Sequence, residues 1–561
     1  MSKNLGINIE TSNLQEPWRR KDIILLFAVF VASLLMRFPP YFPPGVSGDA
    51  ANYIKLAWSM RYAPEADPVL GVLYSFGYSI FIYLASFVIN DLDKAGFVVS
   101  IVFGVLAPVM LFLLGRVMFG TRVAFVAALA FAFYLPHISL SQTALGDSTY
   151  IFWALLSTYL LVKGFLTPKP LNHYVLTGAV VGFTYVIRPE IQIAFFAMTG
   201  FGLYLLWSKH SVKLAKLALI AVILAASFFV VNIPKLAWMH KVTGHWILDG
   251  RKNFTVTAAD KFYGYVENST PLEQVRREHE EALYGLSDDG DYNFMKQRSF
   301  LKWLVDDPRS RFGYYWYNVK LSLNNVDIRI GTALLLALLS FIISKKGDRN
   351  KPALMAAYFT PLLAIPFFYS IGRGSFYART EPAVAYAPLL ILLAAYGLIM
   401  ITEKFGRARY LIIAFTLVAW SGQALAGWTP RIGQVATAND APGYVEMDMY
   451  FGTILDDMLP KGAKVMCVPW GLARYSNHET VLMPLSSYPR VMEYARKKGI
   501  DYIVVGGASE WYRPEMNFLL PAYRRDYVAY YDQDLELIFE EVHDVEGVEL
   551  SPRMAVYKLK K

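Results

Sequence analysis

Acidic and basic side chains lie at the ends of the apolar segments of this sequence, and the segments themselves are nearly free of charge. Asp49 follows the first long apolar run, Asp147 directly precedes another, and Arg188 interrupts a third. A carboxylate at such a position can take a proton from an incoming hydroxyl, and an arginine can make a forked contact with phosphate oxygens. This distribution favours an enzyme acting on a membrane-held anion over a transporter, whose functional charges tend to lie within its spans.

The two aspartates share a local setting. Asp49 lies in PPGVSGDAANYIKLAWSMR, where prolines and glycines precede a predicted helix, and Asp147 ends SLSQTALGD in front of STYIFWALLSTYLL. We interpret them as a general base and a second carboxylate of one site, although an aspartate at such a position usually caps its helix. Lys55 is a candidate phosphate contact, and its alternative is a side chain that snorkels to the interface.

The remaining candidates lie in two arginine-containing motifs. Arg188-Pro189-Glu190 marks a junction between two spans, because proline disfavours a helical residue before it and suits the start of the next helix. The loop GRGSFYARTEP supplies Arg373, Tyr377 and Arg379. We predict that Arg188, Glu190 and these three bind substrate, with an arginine stabilising a phosphate leaving group. An interfacial arginine solvated by lipid headgroups remains the alternative for Arg188.

Composition identifies the chain as a membrane protein. Of its 561 residues, 55% are hydrophobic and 18% are charged, whereas soluble domains average about 45–50% and about 25%. An aromatic content of 15% excludes a fully disordered chain, and the single cysteine, Cys467, excludes an intramolecular disulfide. The net charge of +9 resides largely in short basic loops between apolar runs, so membrane lipids are expected as partners and nucleic acid is not.

Twelve apolar runs are candidates to cross the bilayer. They cover residues 23–38, 68–90, 95–115, 123–146, 148–166, 170–187, 190–208, 217–238, 329–344, 353–372, 382–402 and 410–430. The basic loops place the N-terminus in the cytoplasm and Asp49, Asp147 and Arg188 outside. These assignments agree only if one run does not cross. We expect 68–90, which is rich in Gly, Ser and Tyr, to be re-entrant or interfacial.

The chain is predicted to have three parts. They are a cytoplasmic N-terminus (1–21), a membrane domain (22–430) with a first external loop (39–70) and an external insertion (239–328), and an external soluble α/β domain (431–561). In the last part the pattern predicts strands at 463–468 and 501–507, a helix at 488–498, and two late strands around ELIFEEV and MAVYKL.

The order of the motifs resembles the GT-C superfamily of polytopic membrane glycosyltransferases. The motifs are Gly48-Asp49, SFGYSIFIYLASFV, GRVMFGTR, TALGDSTYIFWALLSTYLL, GAVVGFTYVIRPEIQIAFF and YARTEPAVAYAPLLILLAAYGL. Within the superfamily they are most similar to the family of dolichyl-phosphate-mannose protein mannosyltransferases and bacterial aminoarabinose transferases of lipid A. The resemblance implies an α-helical polytopic membrane protein with an odd number of transmembrane helices, about 11–13, followed by the external α/β domain.

The resemblance also implies roles for single residues. Asp49 matches the base that deprotonates the acceptor hydroxyl, and Asp147 matches a second acid lining the same cavity. Arg188 matches the arginine-proline junction, and Arg379 matches an arginine near the donor phosphate. The implied donor is a polyprenyl-phosphate sugar, the acceptor is a lipid, protein or polysaccharide hydroxyl, and the reaction is an inverting displacement. The implied location is the inner membrane of a prokaryotic cell.

Departures from the family pattern leave two questions open. Ala50 stands where many relatives have a second acid, so it remains open whether a divalent metal is a cofactor. Ser75-Phe76 stands where many relatives have Pro-Pro, and these two differences also leave open the placement within the family. The WWDYG motif of oligosaccharyltransferases is missing from the sequence, which argues against oligosaccharide transfer to asparagine. The alternative function is a transporter or flippase of lipid-linked sugars that forms no bond.

Overall fold

The structure is a computed structural model, and it describes most of the membrane domain and most of the C-terminal domain. The described residues are 17–38, 45–46, 48–62, 71–72, 74–189, 191–247, 285–286, 290, 292, 335–336, 338–339, 342, 381–426, 442–468, 471–506, 514–520, 533–542 and 553–560. The predicted runs 329–344 and 353–372 therefore lie largely or entirely outside the described residues, as does most of the insertion 239–328.

The described residues of the first part of the membrane domain include four helices. They are α1 (Arg20–Arg37), α2 (Gly48–Tyr62), α3 (Phe76–Ala85) and α4 (Leu92–Phe119). The side chain of Asp91 caps α4 by accepting hydrogen bonds from the amides of Asp93 and Lys94. Helix α3 lies within the run 68–90 and has only 10 residues, about half of what a transmembrane helix needs.

Six further helices continue this domain up to residue 243. They are α5 (Thr121–Ala132), α6 (Leu135–Ser141), α7 (Asp147–Leu166), α8 (Leu171–Ile187), α9 (Ile191–His210) and α10 (Leu214–Thr243). Helices α5 and α6 meet at an angle of 62°, because Pro136 suits the first turn of a new helix and not the continuation of the old one. The run 123–146, which the sequence suggests is one span, is thus bent.

Two later helices complete the described membrane domain, α11 (Glu381–Thr402) and α12 (Ala408–Ala426). Among the described residues, four helices are long and apolar enough to cross a membrane, or five if the bent pair α5–α6 counts as one span. The four spans cover Leu92–Phe119, Asp147–Leu166, Leu214–Thr243 and Ala387–Phe405. The odd total of 11 to 13 crossings stays a prediction.

Helices α8 and α10 pack at very short range. A Cβ added at Gly178 would lie 2.5 Å from the carbonyl oxygen of Leu224, and one added at Gly182 would lie 2.8 Å from that of Phe228. The two glycines are four residues apart, so they face the same side of α8 and let the backbones approach. Asn232 then donates a hydrogen bond to the carbonyl of Gly182 across the contact.

The C-terminal domain is a five-stranded sheet with helices. It contains α13 (Pro442–Met458), β1 (Lys464–Cys467), α14 (Gly471–Tyr475), β2 (Glu479–Leu482), α15 (Tyr488–Lys497), β3 (Tyr502–Gly506), β4 (Leu535–Val542) and β5 (Arg553–Leu559). The strand order is β2-β1-β3-β5-β4; β1 is parallel to β2 and β3, and β5 is antiparallel to β3 and β4. The late strands and α15 form where the sequence predicts them, and α15 ends before Gly499, whose φ is +65°.

Candidate active site

Asp49 lies in the first turn of α2, and its carboxylate is held by a tyrosine. Oδ1 accepts a hydrogen bond of 3.0 Å from the Tyr74 hydroxyl, and Asn52 Nδ2 in turn donates to that hydroxyl at 3.0 Å. Gly48 begins the helix with a φ of +56°, a conformation that glycine adopts without strain. The helix dipole favours a negative charge at this end. Asp49 is thus both a residue of the helix start and an oriented carboxylate.

Asp147 and Arg188 form a buried ion pair. Asp147 is the first residue of α7, and Arg188 follows α8 in an extended conformation, as Pro189 requires. Arg188 Nη2 lies 2.8 Å from Asp147 Oδ1, and the side chains are 9% and 5% exposed. The guanidinium also lies 5.7 Å from the Tyr150 ring centre. The sequence placed both residues at external helix ends, but it did not show that they meet.

Three tyrosines connect the two acids. Tyr74, which holds Asp49, packs edge-on against Tyr53 at 5.3 Å between ring centres, and Tyr53 packs edge-on against Tyr78 at the same distance. Tyr78 packs against Gly146, where an added Cβ would lie 3.3 Å from the Tyr78 Cβ, and Gly146 directly precedes Asp147. Asp49 and Asp147 therefore belong to one contiguous packed region.

Lys55 points into the C-terminal domain. Its Nζ donates hydrogen bonds to the carbonyls of Ser476 at 3.0 Å and His478 at 2.9 Å, and it lies 3.8 Å from the Trp58 ring centre. The residue is 2% exposed. Burial lowers the pKa of the Lys55 amine to about 7. Its role as a phosphate contact stays a prediction, and these contacts give it a role between the domains.

Lys235 is a buried cation that the sequence analysis did not select. It lies on α10, is 8% exposed, and places Nζ 4.7 Å from the ring centre of Tyr185. Tyr185 is in the last turn of α8, three residues before Arg188. An ionisable residue within a span is energetically costly, so its presence marks a candidate functional site. The signal that could have found it is a single lysine near the end of the apolar run 217–238.

The remaining predicted site residues, Glu190, Arg373, Tyr377 and Arg379, lie outside the described residues. Their roles in substrate binding stay predictions. In the part of the chain that the structure describes, no group of three or more His, Cys, Asp or Glu side chains comes together in a way that could hold a metal ion. The divalent metal therefore stays an open question.

The membrane domain matches a known family over part of its length. Residues 75–238 match the model of the family described as dolichyl-phosphate-mannose-protein mannosyltransferase. The fold is similar to the crystal structure of ArnT from Cupriavidus metallidurans bound to undecaprenyl phosphate, with a TM-score of 0.51, 10% identity, and coverage of 96% of this chain and 97% of that chain. The chain has the fold of ArnT. The two findings confirm the predicted resemblance to the mannosyltransferases and ArnT, and they confirm the predicted fold class apart from the odd number of helices.

Two further structures show weaker similarity. The oligosaccharyltransferase of Archaeoglobus fulgidus tethered with an acceptor peptide matches with a TM-score of 0.44 and 12% identity, over 90% of this chain and 70% of that chain. The protein O-mannosyltransferase complex of S. cerevisiae bound to the sugar donor matches with a TM-score of 0.36 and 14% identity, over 44% of this chain and 36% of that chain. No curated protein matches the chain.

Proposed function

We propose that this protein transfers a sugar from a polyprenyl-phosphate donor to an acceptor hydroxyl at the external face of the inner membrane of a prokaryotic cell. The observation that carries the proposal is the joining of Asp49 to Asp147 through packed tyrosines, with Arg188 paired to Asp147. Transfer of a sugar from a phosphate donor needs a base for the acceptor hydroxyl and a cation for the phosphate, and Asp49 and Arg188 would supply them. The N-terminus would be cytoplasmic and the C-terminal domain external, as the basic loops indicate.

Asp49 would act as the base. Its carboxylate takes the proton of the acceptor hydroxyl while the acceptor oxygen forms a bond to the anomeric carbon. The bond from that carbon to the donor phosphate oxygen breaks, and its electron pair leaves with the polyprenyl phosphate. One displacement of this kind inverts the anomeric centre. The hydrogen bond from Tyr74 fixes the direction of the Asp49 carboxylate, which reduces the cost of orienting it.

The donor phosphate would be met by cations at the external ends of α8 and α10. Lys235 contacts the ring of Tyr185, and Arg188 follows Tyr185 by three residues. An arginine can stabilise the negative charge that develops on a leaving phosphate. Asp147 holds the Arg188 guanidinium in place. Among the residues outside the described part, Arg373 and Arg379 are proposed to contribute to the same phosphate site, with Glu190 and Tyr377 as further substrate contacts.

Support for the lipid part of the donor comes from the ArnT structure, which contains undecaprenyl phosphate. A polyprenyl phosphate stays in the bilayer because its long chain is buried in the hydrocarbon. Its sugar must therefore be transferred at the interface, where the first turns of α2 and α7 would present Asp49 and Asp147. The sugar and the class of acceptor are the parts that experiment must supply.

The test is mass spectrometry of lipids and glycoconjugates from cells that lack the protein. These cells are complemented with the wild type, with Asp49→Asn, or with Asp91→Asn at matched membrane levels. Asp91 is a suitable control because it caps α4 with a half-exposed side chain, and asparagine preserves a cap. We expect the wild type and Asp91→Asn to restore one sugar-bearing product, and Asp49→Asn to accumulate the polyprenyl-phosphate sugar.

Two results would contradict the proposal. Restoration of the product by Asp49→Asn would reduce Asp49 to a residue of the helix start. A purified protein that moves donor lipid between leaflets of a vesicle without changing its mass would show a carrier instead of a transferase. Purified protein assayed with and without a chelator, and after return of Mg²⁺, Mn²⁺ or Zn²⁺, then decides whether a divalent metal takes part.

A further inference from the structure

A short segment of the C-terminal domain, residues Arg474–His478, contacts the membrane domain on both sides of Asp49. We call it the docking segment. It comprises the end of α14 and the loop that leads to β2. The segment contacts the membrane domain through the side chains of Arg474 and Tyr475 and the backbone carbonyls of Ser476 and His478.

The docking segment holds the chain directly before α2. The amide of Val46 donates to the Tyr475 hydroxyl at 2.6 Å, and that hydroxyl lies 3.1 Å from the Val46 carbonyl and 3.3 Å from Asp93 Oδ2. Burial raises the pKa of the Tyr475 hydroxyl, so it stays protonated and able to donate. Val46 is 4% exposed and lies three residues before Asp49. One hydroxyl therefore fixes the backbone at the entrance to the helix that carries Asp49.

The same segment also holds α2 after Asp49 and holds the start of α4. The carbonyls of Ser476 and His478 accept the hydrogen bonds from Lys55 on α2. Arg474 donates from Nε to Asp93 Oδ1 at 2.8 Å, and its Nη2 lies 2.7 Å from the same oxygen. These side chains are 14% and 10% exposed, so water screens the pair weakly. The membrane domain is therefore held at three points by four residues of this five-residue segment.

The docking segment is itself fixed to the C-terminal domain. Helix α13 approaches it so closely that a Cβ added at Gly452 would lie 2.6 Å from the Tyr475 Cβ. Asp456 Oδ1 accepts a hydrogen bond from the amide of Asn477, and the ring of His478 is hydrogen-bonded to the carbonyl of Leu455. The docking segment therefore connects α13 to Val46 and α2 by direct contacts.

We propose that the C-terminal domain positions Asp49 for proton transfer by holding α2 through the docking segment, with Tyr475 and Lys55 as positioning residues. This rests on the proposed function of Asp49. The domain then has a part in the reaction itself, in addition to any contact with the acceptor. A displacement of a reacting group by about 1 Å can lower a rate about 100-fold, so backbone contacts three residues away are close enough to matter.

The test uses the full-length protein in nanodiscs with Tyr475→Phe, and with Tyr450→Phe as the matched control. Tyr450 also lies in the C-terminal domain, on α13, and its hydroxyl donates to Glu541 Oε1 at 2.7 Å and not to a residue of the docking segment. The first readout is hydrogen–deuterium exchange of the peptide that contains Val46 and α2. The second is the rate of product formation with the lipid extract of cells lacking the protein as donor, at a series of extract concentrations.

We expect Tyr475→Phe to speed exchange at Val46 and the first turn of α2, and to lower kcat about 10- to 100-fold with the KM for the extract unchanged. Tyr450→Phe should match the wild type in both readouts. If Tyr475→Phe fails to fold, the double variant Asp93→Asn with Arg474→Gln replaces it, because that pair loses both charges together and leaves neither uncompensated. The double variant is expected to show the same faster exchange at Val46 and the first turn of α2, and the same decrease in kcat.

The proposal is overturned if the variant used has wild-type exchange at Val46, or if exchange rises while kcat stays at the wild-type value. A rise in KM alone also overturns it, because it would show a role in donor binding instead of positioning. Failure of the proposed function has a different signature. Asp49→Asn would then keep its transfer activity, whereas the exchange contrast between Tyr475→Phe and the wild type would persist.

Discussion

Arg188 and Asp147 lie 41 positions apart in the sequence, yet Arg188 Nη2 is 2.8 Å from Asp147 Oδ1. Each sits at a helix end that its local sequence specifies, and neither is more than one tenth exposed. A buried pair of this kind costs desolvation energy that its attraction offsets only in good geometry. A pair in this geometry fits the proposed phosphate site, where Asp147 would hold Arg188 in place.

We expect Arg188→Leu to abolish transfer and to destabilise the protein by about 3–5 kcal/mol, because the Asp147 carboxylate would stay buried without this partner. The double variant Arg188→Leu with Asp147→Leu should recover most of the stability and none of the transfer. Thermal unfolding in detergent and the lipid-extract assay measure the two effects. Recovery of transfer in the double variant would show that the pair is purely structural.

Tyr74→Phe should lower kcat about 10- to 100-fold, because the hydroxyl that donates to Asp49 is lost. A hydrogen bond to a charged group contributes about 1.5–3 kcal/mol, and each 1.4 kcal/mol corresponds to about tenfold. The KM for the lipid extract should stay unchanged. Tyr83→Phe is the control, since Tyr83 lies on α3 and packs its ring against Phe87, just after the end of that helix. Equal rates for the two variants would show that Tyr74 does not orient the base.

Much of the fold could be predicted from the spacing of apolar residues and from the glycines and prolines that end helices and strands. The pattern located α15, β1, β3 and the late strands because their apolar residues recur at the helix or strand period. It missed β2, which has only four residues and begins with Glu479. It also joined α5 and α6 into one run, since hydropathy alone does not register the break before Pro136.

The candidate site was partly predictable for a different reason. Asp49, Asp147 and Arg188 stand out because a charged residue at the end of an apolar run is visible in the sequence. Lys55 was selected, but its partners are carbonyls 421 and 423 positions away, which no local pattern contains. Lys235 was overlooked because one lysine does not interrupt a long apolar run. Long-range backbone contacts and buried charges therefore required the three-dimensional structure.

Lys235→Gln should raise the KM for the donor about 10- to 100-fold with a smaller change in kcat, if its ammonium binds the phosphate before and during transfer. Lys235→Arg retains the charge and should recover much of the binding. Lys216→Gln, near the start of the same helix and exposed, is the matched control. A wild-type KM for Lys235→Gln would place the phosphate elsewhere.

Lys55 predicts a pH dependence of stability. Its folded pKa of about 7 lies below the ordinary value of 10.5, so between these values the unfolded chain binds more protons than the folded one. Stability therefore rises with pH from about 7 to about 10.5 by this group. The groups whose charges act on it are Arg474, which lowers its pKa, and Cys467, Asp456 and Glu479, which raise it. The Trp58 ring also favours the charged form.

Lys55→Met keeps the length of the side chain and removes the titrating amine. We expect the apparent Tm of the wild type to rise more steeply than that of Lys55→Met as pH increases from 7 to 10, with the difference attributable to this one group. Lys94→Met, which removes an exposed lysine paired with Asp91, serves as the control. Parallel Tm curves for the wild type and Lys55→Met would mean that Lys55 stays charged throughout, with its two carbonyl hydrogen bonds and the Trp58 ring compensating for its burial.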